Sequence, residues 1–173
     1  DHNFALMDQG ASFLQERIRG RASGKGKTEA QAKASAIGES IERYSGIYNG
    51  AEHTVTQRHV DLENAIHPNE CLLDSDAQDN NREQPNQHCG RFGWVPERFD
   101  TRATLEWTPL WSLTHNDWYY LPTAYCFYGY AQQHNAHYAR ADSNGCAAGA
   151  CLEDAFMQAF FELVERDAAA LWW

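Results

Sequence analysis

From Thr28 to about Tyr48 the apolar and polar residues recur with the period of an amphipathic helix. Taking Ala32 as zero and roughly 100° per residue, Ile37, Ile41, Tyr44 and Tyr48 fall at about 140°, 180°, 120° and 160°. Ser35, Glu39 and Glu42 fall at about 300°, 340° and 280°, so a narrow acidic stripe lies opposite an apolar face. Thr28 suits the N-cap, Glu29 and Gln31 the first turn, and Asn49-Gly50 the stop. A second helix is predicted from about Leu152 to the chain end. On the same wheel, Asp154, Gln158, Glu162 and Glu165 fall between about 260° and 340°, and Phe156, Phe160, Val164 and Leu171 between about 100° and 180°.

Between the helices the pattern changes to β type. Leu105 to Leu113 and Trp118 to Tyr130 are rich in aromatic and β-branched residues, and Thr114-His115-Asn116-Asp117 between them is turn chemistry, which predicts a hairpin. Pro109 and Pro122 belong at edges or bulges. A short strand around His53–Gln57, a short helix near Val60–Ala65 and a short strand over Tyr138–Asp142 are also expected. Ser143-Asn144-Gly145 reads as a turn. Ser12 to Ile18 has the spacing of a short helix, and residues 75–90, polar and without periodicity, read as a mobile surface loop.

The two helices share more than a period. Aligning Glu39 with Glu162 brings Glu42 onto Glu165, Arg43 onto Arg166, Ala32 onto Ala155, Ala36 onto Ala159, Ser35 onto Gln158 and Gly26 onto Gly149. This is the mark of an internal repeat. One Glu-x-x-Glu-Arg helix alone reads as an ordinary solvated face. Two in register, with no lysine on either acidic stripe, do not fit that reading, because a solubilising face mixes signs to form i,i+4 pairs. If the stripes face each other, their carboxylates repel and rise in pKa unless a divalent cation intervenes. Magnesium bound by a few carboxylates completes its shell with phosphate oxygens, and Lys25 and the flanking arginines supply charge for phosphate. The constellation points to a nucleoside triphosphate.

Gly24-Lys25-Gly26-Lys27-Thr28 is not a P-loop. That spacing needs glycine five residues before Gly26, where Arg21 stands, and Gly20 comes one residue too early. The segment remains suited to cradling phosphate at a helix start.

Composition narrows the class. The chain has 173 residues, 43% of them hydrophobic and 22% charged, which suits a globular domain. Its net charge of -10 argues against nucleic acid or an anionic membrane as partner. No apolar run reaches membrane-spanning length and no secretory pattern opens the chain. The five cysteines form no C-x-x-C pair, so reduced thiols in a cytoplasmic protein are expected rather than zinc or disulfides. The eight histidines are scattered, and no Ser-His-Asp or Cys-His arrangement is supported. The chain does not begin with Met and ends within a helical pattern, so a piece truncated at both ends is expected.

At residues 24–46 (GKGKTEAQAKASAIGESIERYSG) and 141–173 (ADSNGCAAGACLEDAFMQAFFELVERDAAALWW) the sequence resembles the YcaO family. Between them, WTPLWSLT and YLPTAYCFYGY are similar to the hairpin region of its peptide-modifying cyclodehydratases. The resemblance covers roughly residues 20–173. It implies an α+β fold, a β-sheet packed with helices around an ATP-binding site unrelated to P-loop proteins, with this chain part of a single domain. It also implies ATP and Mg as cofactors. By the family's motifs Glu39, Glu42, Glu162 and Glu165 are the magnesium ligands, and Lys25, Ser35, Asn144, Asp154, Gln158 and Arg166 lie at the nucleotide. Two positions depart from the family pattern: Ala150 stands where Asn is usual, and Asp154 where Glu is usual.

The implied reaction activates a peptide backbone amide. A substrate Cys, Ser or Thr attacks the preceding carbonyl, the resulting oxygen takes the γ-phosphate of ATP, and loss of phosphate leaves a thiazoline or oxazoline. No protein nucleophile is required. The expected substrate is a ribosomally made precursor peptide, with a leader-peptide-binding partner protein or domain, in a homo-oligomer. Thioamide- or amidine-forming family members share this ATP site and remain open as alternatives, as does a non-catalytic partner subunit. The aromatic hairpin and the ERDAAALWW ending favour the cyclodehydratase.

Overall fold

The computed structural model describes residues 22–72 and 95–172. The expected helix over Ser12–Ile18 and the expected loop over residues 75–90 lie outside the described residues. The chain divides into two compact units, one containing residues 22–47 and 142–172, the other Tyr48–Ala141.

The first unit holds two long helices, α1 (Glu29–Ser45) and, later in the chain, α5 (Leu152–Trp172). Thr28 caps α1 as expected: its hydroxyl accepts from the Gln31 amide at 3.2 Å. The helix stops three residues short of the predicted end. Gly46 closes it in a right-handed conformation, its N–H on Glu42 O at 3.2 Å. Asn49-Gly50 is not the stop, because Tyr48 is drawn into the second unit. There its N–H donates to Tyr128 O at 3.0 Å and its ring meets Tyr130 edge-on at 4.9 Å. Before α5, Gly145 takes a φ of 75° in the predicted Ser143–Gly145 turn, which the Cys146 amide closes on Ser143 O at 3.1 Å.

The second unit is built on an antiparallel sheet of β1 (Val55–Arg58), β2 (Thr104–Ser112) and β3 (Asp117–Pro122), in that order across the described residues. The predicted hairpin is β2–β3, with Trp107 opposite Pro122 and Ser112 opposite Asp117, and its turn is made by Asn116 at a φ of 53°. β1 pairs only Thr104 to Trp107. Pro109 therefore lies where β2 is locally an edge, and its missing N–H costs no ladder bond. Trp107 is fully buried, and its indole N–H donates to Gln57 O at 3.0 Å.

The strand predicted as far as Tyr130 ends at Pro122. Two short helical turns follow, α3 (Thr123–Cys126) and α4 (Tyr130–Gln133), the second entered through Gly129 at a φ of 85°. They carry Ala124 and Tyr130 into a buried cluster with Ala136 and Ala139, and Tyr48, Phe127 and Tyr138 pack on it. Tyr138–Asp142, expected as a short strand, is irregular, with Ala139 buried and Arg140 and Asp142 exposed. The helix expected near Val60–Ala65 is a 3-10 turn over His59–Asp61, since Asn64 at a φ of 59° cannot continue a right-handed helix. A short helix not expected from the sequence, α2 (Pro68–Leu72), follows.

Candidate functional site

Each long helix of the first unit is entered through a loop pinned to its own first turn. A Cβ on Gly26 would come within 2.4 Å of Gln31 Cβ and 2.6 Å of the Ala32 nitrogen, and one on Gly149 within 2.3 Å of the Ala155 nitrogen. Only glycine allows either approach. The hydrogen bonds repeat with the glycines. The Lys27 amide donates to Gln31 Oε1 at 2.9 Å, and the Ala150 amide to Asp154 Oδ2 at 3.0 Å. The Ala32 amide donates to Thr28 O, and the Ala155 amide to Cys151 O, both at 3.1 Å. Arg43 Nη2 reaches Glu39 Oε1 at 2.6 Å, and Arg166 Nη2 reaches Glu162 Oε1 at 3.0 Å. The register found in the sequence is therefore a repeated backbone arrangement. Asp154, one of the positions that depart from the family pattern, serves here as a loop-closing acceptor.

The burial of the two helices is inverted relative to a solvated amphipathic helix. The side chains of Glu39 and Glu162 are 25% and 20% exposed, whereas Ile41 and Phe160 are 56% and 58% exposed. Glu42 is also half-buried. Glu39, Glu42 and Glu162 are turned inward, while the apolar faces and the rest of each acidic stripe stay exposed. Gly38 on the inner side of α1 has the Ala148 methyl 3.9 Å from where its own Cβ would stand, which brings the Ala147-Ala148-Gly149 loop against that helix.

Electrostatics define the site further. Burial and then the nearby Glu162 carboxylate push Glu42 above the usual carboxylate range, while Arg43 opposes them. Burial also works against ionised Glu39, but the Ser23 amide, at 2.7 Å from Oε2, and Arg43 outweigh it and hold Glu39 below that range. Cys146 lies by the same carboxylates. Burial raises its thiol first, and Glu42, Glu162 and Asp142 raise it further. Neither Ser23 nor Cys146 stood out in the sequence. One acts through a backbone amide, and the other through a position that only the fold brings beside two carboxylates.

The remaining candidates are exposed: Lys25, Ser35, Asn144, Asp154, Gln158, Glu165 and Arg166. Asn144 is held by Asp142, which accepts from its amide at 2.9 Å and from its side chain at 3.0 Å. Among the described residues no three His, Cys, Asp or Glu side chains form a ready metal-ligand group. Of the four carboxylates expected from the wheel, Glu162 and Glu39 both act on Glu42, and Glu39 is also bonded to the Ser23 amide and Arg43. The Glu42–Glu162 pair fits magnesium, which takes one or two protein carboxylates and fills its octahedron with water and phosphate oxygens. Burial first, and the Glu162 carboxylate second, raise Glu42, and a bound cation would relieve both.

Comparisons with known proteins bear on the family and the fold. An uncharacterized protein of Methanothermobacter thermautotrophicus is 30% identical over 151 residues, which is 86% of this chain and 33% of that protein. A heterocyclase solved in complex with substrate and cofactor is 48% identical, with a TM-score of 0.84 over 93% of this chain. The heterocyclase TruD is also 48% identical, with a TM-score of 0.75 over 82%. The chain spans 22% and 21% of those two structures. YcaO from Methanopyrus kandleri bound with AMPPCP and Mg2+, at 23% identity and a TM-score of 0.51, shares the fold. The family model described as YcaO cyclodehydratase, ATP- and Mg2+-binding, matches residues 23–173, and the chain belongs to that family.

Proposed function

We propose that this chain supplies the magnesium–triphosphate site of an enzyme that activates peptide backbone amides by phosphorylation and closes Cys, Ser or Thr residues into azolines. The observation that carries the reading is the half-buried pair Glu42 and Glu162, close enough to act on each other, on two helices each entered through a glycine-pinned loop. The likeness to two heterocyclases at 48% identity supports the choice of reaction.

In this reading Glu42 and Glu162 hold magnesium, with Glu39 and Glu165 as further carboxylates of the same stripes. Bound Mg-ATP supplies the phosphoryl group that the amide oxygen takes up and carries away. Lys25, Ser35, Asn144, Gln158 and Arg166 contact the nucleotide and offset its charge, and Asp154 shapes the loop that presents it. Catalysis is then positioning and charge neutralisation, as in other phosphoryl transfers. The substrate is a precursor peptide, delivered with a leader-binding partner protein or domain to a cytoplasmic homo-oligomer. The single family match over residues 23–173 supports treating them as part of one domain.

The test uses the full-length protein and its precursor peptide. Magnesium-dependent ATP consumption should accompany loss of one water per modified residue by mass spectrometry. Glu42→Ala and Glu162→Ala should each lower the rate about 100-fold or more, the usual scale for removing transition-state charge stabilisation. Sulfur-for-oxygen exchange in the product would instead indicate the thioamide chemistry. Nucleotide binding that ignores magnesium and both substitutions would leave a non-catalytic subunit.

A further inference from the structure

The turn before α5 carries a further acidic group, Asp142, outside the stripes of the two long helices. Gly145 in that turn lies on α5: a Cβ there would stand 3.1 Å from both Cγ and Cδ2 of Leu163, the neighbour of Glu162. Cys146 comes next, beside Glu42 and Glu162. This puts Asn144, one residue earlier, at the rim of the acidic site. Asp142 grips Asn144 twice. Its Oδ1 accepts from the backbone N–H at 2.9 Å, and its Oδ2 from the side-chain Nδ2 at 3.0 Å. The backbone bond alone makes an ordinary Asx turn. The side-chain bond adds something a turn does not need. An amide side chain has a donor end and an acceptor end, and a carboxylate only accepts. The nitrogen end of Asn144 must face Asp142, so its Oδ1 must face away.

We propose that Asp142 is a positioning residue that fixes the flip of the Asn144 amide, so that Asn144 offers the bound nucleotide an oxygen and not an N–H. The role rests on the reading above that Asn144 lies at the nucleotide. An outward oxygen cannot bond phosphate oxygens, which are acceptors themselves. It takes a cation or a donor, and Mg-ATP brings both: the hydrated metal at the triphosphate, hydroxyl and amine groups on the nucleoside. Asparagine in place of Asp142 separates this role from plain turn-making. Its own Oδ1 still closes the turn on the Asn144 backbone N–H, but its Nδ2 stands where Oδ2 stood. Because Nδ2 donates, it draws Asn144 Oδ1 inward and turns the Asn144 N–H out to the site. The substitution that best keeps the turn therefore inverts the amide.

Calorimetric titration of the full-length protein with Mg-ATP, and separately with Mg-tripolyphosphate, tests this without reference to turnover, with denaturation midpoints as the check on folding. Asp142→Asn should keep the wild-type midpoint yet raise Kd for Mg-ATP about tenfold, because only the minority flip still binds. Asp142→Ala loses the turn bond and lowers the midpoint, but it leaves the amide free to choose and should raise Kd only about two- to threefold. Asp142→Asn together with Asn144→Asp restores an inward donor and an outward oxygen, and should return Kd to within about threefold of wild type. On an Asn144→Ala background Asp142→Asn should shift Kd less than twofold, since its effect runs through Asn144 and not through the lost charge. A role confined to the turn gives the opposite order, Ala weaker than Asn. That order would overturn the proposal, as would a paired variant no tighter than Asp142→Asn. Weakening of both ligands assigns the Asn144 oxygen to magnesium, and weakening of Mg-ATP alone assigns it to the nucleoside; either result upholds the flip. Wild-type protein that binds neither ligand would overturn the functional reading, whereas normal wild-type binding with the wrong order of variants would overturn the role of Asp142 alone.

Discussion

Glu39 and Glu42 sit less than one helical turn apart, yet their surroundings move them in opposite directions. Glu42 is raised by burial and Glu162, so its contribution to stability is full below its ordinary value of 4.5 and lost as pH rises through the raised value. Glu39 is lowered by Ser23 and Arg43 despite burial, so its contribution is present above 4.5 and lost as pH falls through the lowered value. Denaturation midpoints of the metal-free protein between about pH 3 and 7 should show this. Glu42→Gln should remove part of the loss on the alkaline side, and Glu39→Gln part of the loss on the acid side. Magnesium at neutral pH should stabilise wild type more than Glu42→Gln. The pinning glycines give a second prediction. Gly149→Ala and Gly26→Ala should each destabilise by about 1–3 kcal/mol, the range for overpacking, measured by chemical denaturation. Both glycines were legible from the repeat. Ser23 was not, because any residue but proline carries the amide it uses.

At the scale of elements, periodicity and caps located α1, α5 and the β2–β3 hairpin. Thr28→Ala should cost about 1 kcal/mol, the usual price of an N-cap. Trp107→Ala should cost about 3–5 kcal/mol, because the indole is fully buried and its N–H holds β1 through Gln57. The errors of sequence reading share a cause. Tyr48 looked helical and Thr123–Tyr130 looked extended, but both are set by burial around Tyr130, which local pattern cannot see. Within that cluster the tyrosines surround Glu106. Burial first and Glu106 second push Tyr138 up to about 12, and Tyr130 is also raised by burial and by its hydrogen bond to Glu106. One Glu106 carboxylate oxygen is buried without a partner, and nothing in the alternation of β2 announced it.

For the molecule as a whole, the outer faces of the long helices stand out. Ile37, Ile41 and Tyr44 on α1 and Phe156, Phe160 and Val164 on α5 are all more than a third exposed. No helix among the described residues is long and apolar enough to cross a membrane. Residues 1–173 expressed alone should therefore bind a hydrophobic dye strongly, and Ile41→Lys with Phe160→Lys should reduce that binding without altering Mg-ATP affinity, since the substitutions lie away from the acidic stripes. The amphipathic pattern showed that these helices had two faces. It did not show which face turned inward, because a sequence read alone supplies no partner for either.

The short reach of β1 has an optical consequence. Beyond Trp107 the hairpin loses β1, and past Tyr120, where Asn64 and Ile66 still bond the outer side of β3, its backbone pairing is that of a two-stranded ribbon, a form marginally stable by itself. Trp111 and Trp118 face each other across it, ring centres 5.3 Å apart and nearly perpendicular. Two indoles so close couple electronically and give a circular dichroism signal that neither produces alone. As the chain is warmed, that signal should fade before the sheet melts, so the protein carries its own thermometer for the fraying of one strand end.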